Sequence, residues 1–244
     1  RGRDQFLDEQ GVRLLLTHPY FRRNMLTVRC RGPLTREGRY ALGAAVLMAG
    51  VANAFSRSAL RLVFERTLLY DRRDLPPFFE MDTFPLSRVA LSPENFPAAL
   101  LASGSIPLVM EGMLNIPGAP PGVYRDGGLV DYHLDLPFGS RGLVLFPHYR
   151  DRIVPGWFDK PLPWRRPGPA NMENVVLLCP SPAFVERLPY GKIPDRNDFV
   201  RLCESERIAA WEKVIQSSRI LGEEFLELTT GDNARRRVRP LDER

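Results

Sequence analysis

Lysine, histidine and cysteine are all scarce in this sequence. Lys160, Lys192 and Lys213 are its only lysines among 34 basic side chains, so nearly all the positive charge is arginine. That bias reads as a habit of composition, although arginine also suits phosphate groups. The cysteines, Cys30, Cys179 and Cys203, are odd in number and widely spaced, with no Cys-x-x-Cys pair. Neither a disulfide framework nor a zinc knuckle is thereby indicated, and a reducing, cytoplasmic compartment fits best. Cys179 closes an apolar run and reads as a buried thiol. His18 and His148 each adjoin a proline and read as structural.

Long apolar runs are missing too. The longest, residues 41–55, is interrupted by Asn53 and falls short of the roughly 20 residues that span a bilayer. It reads as a helix capped by Thr35, apolar nearly all round, and placed in a core or under a cover layer. The sequence opens on Arg1 rather than a methionine, so the lack of a leader excludes nothing. No aromatic–basic signature of RNA recognition is present, which argues against nucleic acid as a partner.

What is there suffices for one substantial core: 244 residues, 44% of them hydrophobic. The expected organisation is a single domain over 1–230 and a basic tail over 231–244. The tail holds Arg235, Arg236, Arg237 and Arg239 and reads as frayed and solvated. The net charge of +5 permits contact with anionic lipid without demanding it.

Along the chain, element types alternate. Residues 3–10 read as a helix end stopped by Gly11, and 12–16, 25–30, 60–64 and 86–91 as strands. Residues 71–79 read as a loop, and Ser92-Pro93-Glu94-Asn95 is a helix start. Short apolar runs at 143–146 and 175–179 read as buried strands. Residues 154–169, rich in Pro and Gly with Trp157 and Trp164, read as a structureless segment whose aromatics cover a pocket. Residues 198–228 are helical in pattern, with Gly222 and Ser217-Ser218 as breaks. Such alternation indicates an α/β sheet covered on both faces.

One stretch, 102–138, carries the chemistry. A helix over 98–103 ends at Gly104, where a C-cap favours a residue tolerant of positive φ. A Pro/Gly-rich loop follows, and Val123-Tyr124-Arg125 then delivers Asp126-Gly127-Gly128. An aspartate before two glycines is a tight turn in which backbone approaches a neighbouring element closely.

The combination resembles the patatin-like acyl hydrolases. That family has a helix ending in Ala-Ser-x-x-x-Pro, here Ala102-Ser103-Gly104-Ser105-Ile106-Pro107, then a strand ending in Asp-Gly-Gly, here Asp126-Gly127-Gly128. Leu129-Val130-Asp131 and Leu136-Pro137-Phe138 echo the tail of the motif, with Tyr132-His133-Leu134-Asp135 where many members carry Asn-Asn-Pro. The resemblance implies a three-layer α/β/α sandwich with a mainly parallel central sheet. It makes Asp126 the base of a Ser–Asp dyad, supported by Gly127 and Gly128, and implies no metal and no other cofactor. Lipid esters are the implied substrates, with peripheral contact at a membrane surface.

The nucleophile is not in sight. Acyl transfer by serine uses a strained Gly-x-Ser-x-Gly elbow and backbone donors aimed at the oxyanion. Ser140, in Gly139-Ser140-Arg141-Gly142, has the wrong spacing and precedes a strand, while Ser103 and Ser105 lack glycines on both sides. The resemblance places the elbow and the glycine-rich anion loop upstream of Arg1. Two rival readings stand beside this one. Asp126, Asp131, His133 and Asp135 form an oxygen-plus-imidazole set for a divalent metal, if 131, 133 and 135 share a strand face. In the other, the fold serves, without catalysis, as a lipid-binding or interaction module. Residues 108–113 and 157–164 are candidates to line an acyl pocket or to touch a membrane.

Overall fold

The computed structural model of the chain describes residues 8–139, 142–231, 234 and 237–241. Ser140, Arg141, Arg235 and Arg236, and most of the helix end expected at 3–10, lie outside the described residues; Arg237 and Arg239 are exposed. The chain divides into two compact units, one of residues up to 143 with 153–174, the other of 144–152 with 175 onward.

In the first unit, helix α1 spans Glu9–Thr17. Gly11 does not stop it, and 12–16 form no strand. Asp8 caps the helix through the Gly11 amide at 2.7 Å, and a Glu9–Arg13 pair supports its first turns. Strand β1, Asn24–Cys30, covers the strand expected at 25–30. Thr35 does not cap the next helix, because its hydroxyl donates to Gly32 O in a short 3₁₀ turn. Helix α2 starts one turn later, at Arg39–Phe55. A 3₁₀ segment, Arg57–Leu62, occupies most of the strand expected at 60–64, and strand β2 is Phe64–Tyr70. Strand β3, Leu86–Ala90, helix α3, Phe96–Ser103, and the short strands β4, Met113–Leu114, and β5, Val123–Asp126, follow. Gly104 caps α3 at φ −112°, so it needs none of the left-handed freedom expected of it.

The class is mixed α/β, but the five-stranded sheet, ordered β3-β2-β1-β5-β4, is not mainly parallel. Only β2 and β3 run parallel; β1 is antiparallel to both β2 and β5, and β4 to β5. A helix between two strands suggests a parallel crossover. Here α2 and the 3₁₀ segment bring the chain back the other way, with Cys30 opposite Phe64 and Asn24 opposite Tyr70.

Strand alternation sorts the core onto two faces. Val28, Cys30 and Phe64 pack on one face with Leu42, Ala45 and Ala49 of α2. Met25, Leu69 and Tyr124 pack on the other with Ala99 and Ala102 of α3 and Val12 of α1. Residues 154–169 are less structureless than their composition suggests. Val154, Phe158 and Leu162 are buried, Phe158 within the α2 cluster, while Trp164 is exposed.

In the second unit, strands β6, Val144–Pro147, and β7, Val175–Leu178, pair in parallel as a separate two-stranded sheet. They are half-buried to exposed rather than buried, and Cys179 is likewise half-buried. The long helix Glu204–Thr229 runs unbroken through Ser217, Ser218 and Gly222. Ser218 satisfies its hydroxyl on the Val214 carbonyl of its own helix, which removes its pull toward a turn.

Candidate active site

Asp126 ends β5, opposite Thr27 of β1 and two residues after the buried Tyr124. Its amide donates to Ser105 O at 3.1 Å, so the segment leaving α3 is laced to the strand end that carries the carboxylate. The next residues form no hairpin. Gly127 takes φ −61° and ψ −25°, and Gly128–Asp131 wind into one helical turn, α4, with the Val130 and Asp131 amides on Gly127 O.

Both glycines are set by close approach rather than by unusual φ. A β-carbon on Gly127 would lie 2.3 Å from the carbonyl oxygen of Leu26 in β1. One on Gly128 would lie 3.1 Å from Asp126 Oδ1, the atom that accepts the Gly128 amide at 2.8 Å. Gly127 thus lets the turn sit down on β1, and Gly128 leaves room for the carboxylate itself.

Asp126 lines a cleft of about 420 Å³. Asn24, Met25 and Leu26 of β1, Phe78, Ser103, Tyr132 and Leu134 contribute to its wall. The carboxylate is half-buried, and burial raises its pKa above the usual carboxylate value, with the Gly128 amide opposing. Oδ2 receives no hydrogen bond from the described residues. Asp126 is therefore a desolvated carboxylate with one oxygen on the Gly128 amide and the other without a hydrogen bond from the described residues.

The other members of the proposed metal set are committed elsewhere. Positions 131, 133 and 135 do not alternate on a strand, because 128–131 are helical and a turn follows. Asp131, also at the cleft wall, is chelated by Arg66, with Nε at 2.7 Å and Nη2 at 2.6 Å, both side chains buried. His133 is buried, and its Nδ1 accepts the Val154 amide at 2.9 Å. Asp135 accepts the Gly168 amide and the Asn171 side chain at 2.8 Å.

Residues 153–168 act as a brace under this turn. The Tyr132 and His133 amides donate to Pro155 O and Val154 O, fixing Tyr132 at the cleft wall. Asp159, fully buried, gathers Asn53 of α2 at 2.7 Å, the Gly156 amide at 3.0 Å, and Arg57 and Arg165 at 3.2 Å. Arg57 reaches on to Val130 O at 2.5 Å and so ties the 3₁₀ segment after α2 to α4. Trp157 and Trp164 do not line the cleft.

Ser103 lines the cleft, but its hydroxyl donates to Leu100 O at 2.8 Å, and that of the buried Ser105 donates to Leu101 O at 2.8 Å. Both serines are occupied in closing α3. Tyr124 is no rival base: it donates to Pro120 O, and burial pushes its phenol up to about 12. His18 and His148 serve local turns, His18 Nδ1 accepting from the Tyr20 and Phe21 amides.

Sequence reasoning did not single out Arg66, Phe78, Tyr132 or Asn24 as parts of this site. Arg66 carries one signal, an arginine inside the apolar strand Phe64–Tyr70, where a buried cation demands a buried partner. Comparison of the chain with family models, with curated proteins and with solved structures finds no match.

Proposed function

We propose that the protein is a serine acyl hydrolase of the patatin-like type acting on lipid esters, with Asp126 as the base of a Ser–Asp dyad. The observation that carries the reading is the contrast between two aspartates on one cleft wall. Asp131 has both oxygens on Arg66, whereas Asp126 keeps Oδ2 free and is desolvated. A carboxylate made more basic by burial suits proton abstraction from a hydroxyl better than an ordinary one. The three-layer patatin arrangement belongs to this proposal and is supported by helices on both faces of the sheet.

In the proposed reaction the hydroxyl oxygen of a serine bonds to the ester carbonyl carbon while Asp126 Oδ2 takes the hydroxyl proton. Collapse of the tetrahedral intermediate expels the alcohol, which recovers that proton, and water hydrolyses the acyl-serine in a second, equivalent cycle. Gly127 and Gly128 hold the carboxylate at the cleft, and Met25, Leu26, Phe78 and Leu134 offer apolar wall to an acyl chain. The serine is assigned to a segment outside this sequence.

A second reading, a non-catalytic lipid-binding module, is favoured by the serines at hand, since Ser103 and Ser105 both spend their hydroxyls on helix carbonyls. Ester hydrolysis by the full-length protein, on short- and long-chain p-nitrophenyl esters and beside Asp126→Asn, separates the two. Loss of activity in a folded variant supports the dyad. Equal activity removes Asp126 from the chemistry, and an inert full-length wild type supports the module.

A further inference from the structure

Helix α2 is apolar on both sides, yet only one side is covered. Leu42, Ala45, Val46 and Ala49 face the core, while Leu47, Met48 and Val51 on the outer side are 69%, 59% and 53% exposed. Aromatics close this outer face at both ends, Tyr40 at 92% and Phe55 at 88% exposure. The sequence-based expectation of a helix hidden all round therefore fails for half of its circumference. An unbroken apolar stripe of this kind is unusual on a protein surface and marks a contact.

The charge around the stripe says what the contact is. No acidic residue occurs between Gly38 and Phe64. Arg36 and Arg39 stand at the N-terminal end and Arg61 in the 3₁₀ segment that follows the C-terminal end, all exposed and without an acidic partner among the described residues. Arginines at a helix N-terminus oppose the macrodipole, so Arg36 and Arg39 do not serve the helix itself. Aliphatic centre, aromatic ends and a cationic border together match a lipid–water interface with anionic headgroups.

A second exposed apolar segment adjoins the first. Glu37, two residues before α2, accepts the Gly112 amide at 3.1 Å and Arg125 Nη2 at 2.8 Å. It thereby fastens the loop carrying Leu108, Val109 and Met110, exposed at 54%, 69% and 45%, beside the start of the helix. That loop continues from the end of α3, where Ser103 stands at the wall of the Asp126 cleft and the Ser105 carbonyl accepts the Asp126 amide.

We propose that the outer face of α2, with the loop at 108–110, docks the protein onto an anionic lipid surface, the helix lying in the interface plane. No helix among the described residues is long and apolar enough to cross a membrane, so the contact is peripheral. The choice of a lipid over a protein occupant rests in part on the lipid-ester reading above, and the test keeps the two apart.

The experiment is flotation of the full-length protein with vesicles of phosphatidylcholine alone, and of phosphatidylcholine with phosphatidylglycerol, at low and high salt. Flotation is expected with the anionic vesicles, and weaker at high salt. Leu47→Ser with Val51→Ser lowers the bound fraction about tenfold, and Arg39→Gln or Arg61→Gln lowers it about fivefold each. These side chains are exposed among the described residues, so circular dichroism and melting should be unchanged. A clear loss of melting temperature in the Leu47/Val51 variant would mean that a further segment of the full-length chain covers the face, and would overturn the proposal. Asp126→Asn floats like wild type, whether or not esters are hydrolysed. Three results overturn the proposal: no flotation, equal flotation of the Leu47/Val51 variant, or loss of flotation in Asp126→Asn, which would mean capture in the cleft. A concentration-dependent dimer by light scattering that the Leu47/Val51 variant abolishes also overturns it, and assigns the face to a second copy.

Discussion

Arg66 Nε and Nη2 hold the two carboxylate oxygens of Asp131 at 2.7 and 2.6 Å, inside a core where both side chains are all but inaccessible. Arg66 Nη1 continues to Thr83 at 3.1 Å and its guanidinium lies 5.1 Å over the Phe84 ring. The pair joins β2 to α4 and so braces the turn that presents Asp126. It also leaves two carboxylates five positions apart in different states, Asp131 ion-paired and Asp126 not.

That pair yields a prediction on stability. Arg66→Met leaves Asp131 buried without a partner and should cost about 3–5 kcal/mol in chemical denaturation. Adding Asp131→Leu removes the orphaned charge and should restore most of the loss. If the double variant is no more stable than the single one, the pair is not the brace described.

Asp126→Asn keeps the shape of the side chain and removes the proposed base. Ester hydrolysis by the full-length protein should fall by about two to four orders of magnitude. The melting temperature at neutral pH should hold or rise, because a desolvated charge is lost.

Asp126 also sets a pH dependence with a definite sign. Burial raises its pKa, so the folded protein favours the protonated carboxyl. Its contribution to stability is present below the ordinary value of about 3.9 and is lost as pH rises through the raised value. Activity of the proposed dyad runs oppositely, since its base works only when ionised. The acid limb of kcat/KM should have its midpoint above the ordinary carboxylate value. The melting-temperature gain of Asp126→Asn over wild type should grow as pH rises across the same window.

The two glycines after Asp126 should fail differently. In Gly127→Ala the new β-carbon meets the Leu26 carbonyl at 2.3 Å, and backbone of β1 has to move. A loss of about 1–3 kcal/mol is expected in thermal or denaturant melts. In Gly128→Ala the neighbour is the Asp126 carboxylate at 3.1 Å, which gives way more easily. Activity should drop there more than stability does. Equal melting of both variants and wild type would contradict the packing of this turn.

Much of this was legible in the chain. Short runs with strand character located β1, β3 and β5, and the short range in which Asp, Gly and Gly act on one another marked the turn. Where local signals conflict with packing, the sequence misled. Glu65 and Arg66 disguise β2, because buried charges read as surface until Arg29, Arg31 and Ser87 are seen around Glu65 and Asp131 around Arg66. The polar and proline-rich 154–169 segment hid its core role for the same reason. Its buried Asp159 is satisfied by Asn53 and Arg57, which are a hundred residues away in sequence.

The sequence by itself determined the α/β class, the strand that carries Asp126 and the glycines that follow it. These depend on neighbours within a few residues, where periodicity and turn chemistry operate. Only the tertiary structure decided that the sheet is mainly antiparallel, that Asp131 is locked while Asp126 is open, and that α2 leaves half its apolar surface uncovered. Each of those turns on which distant segment lies alongside. Strand direction, ion-pair partnership and burial are properties of pairs of segments, and no single stretch of chain encodes them alone.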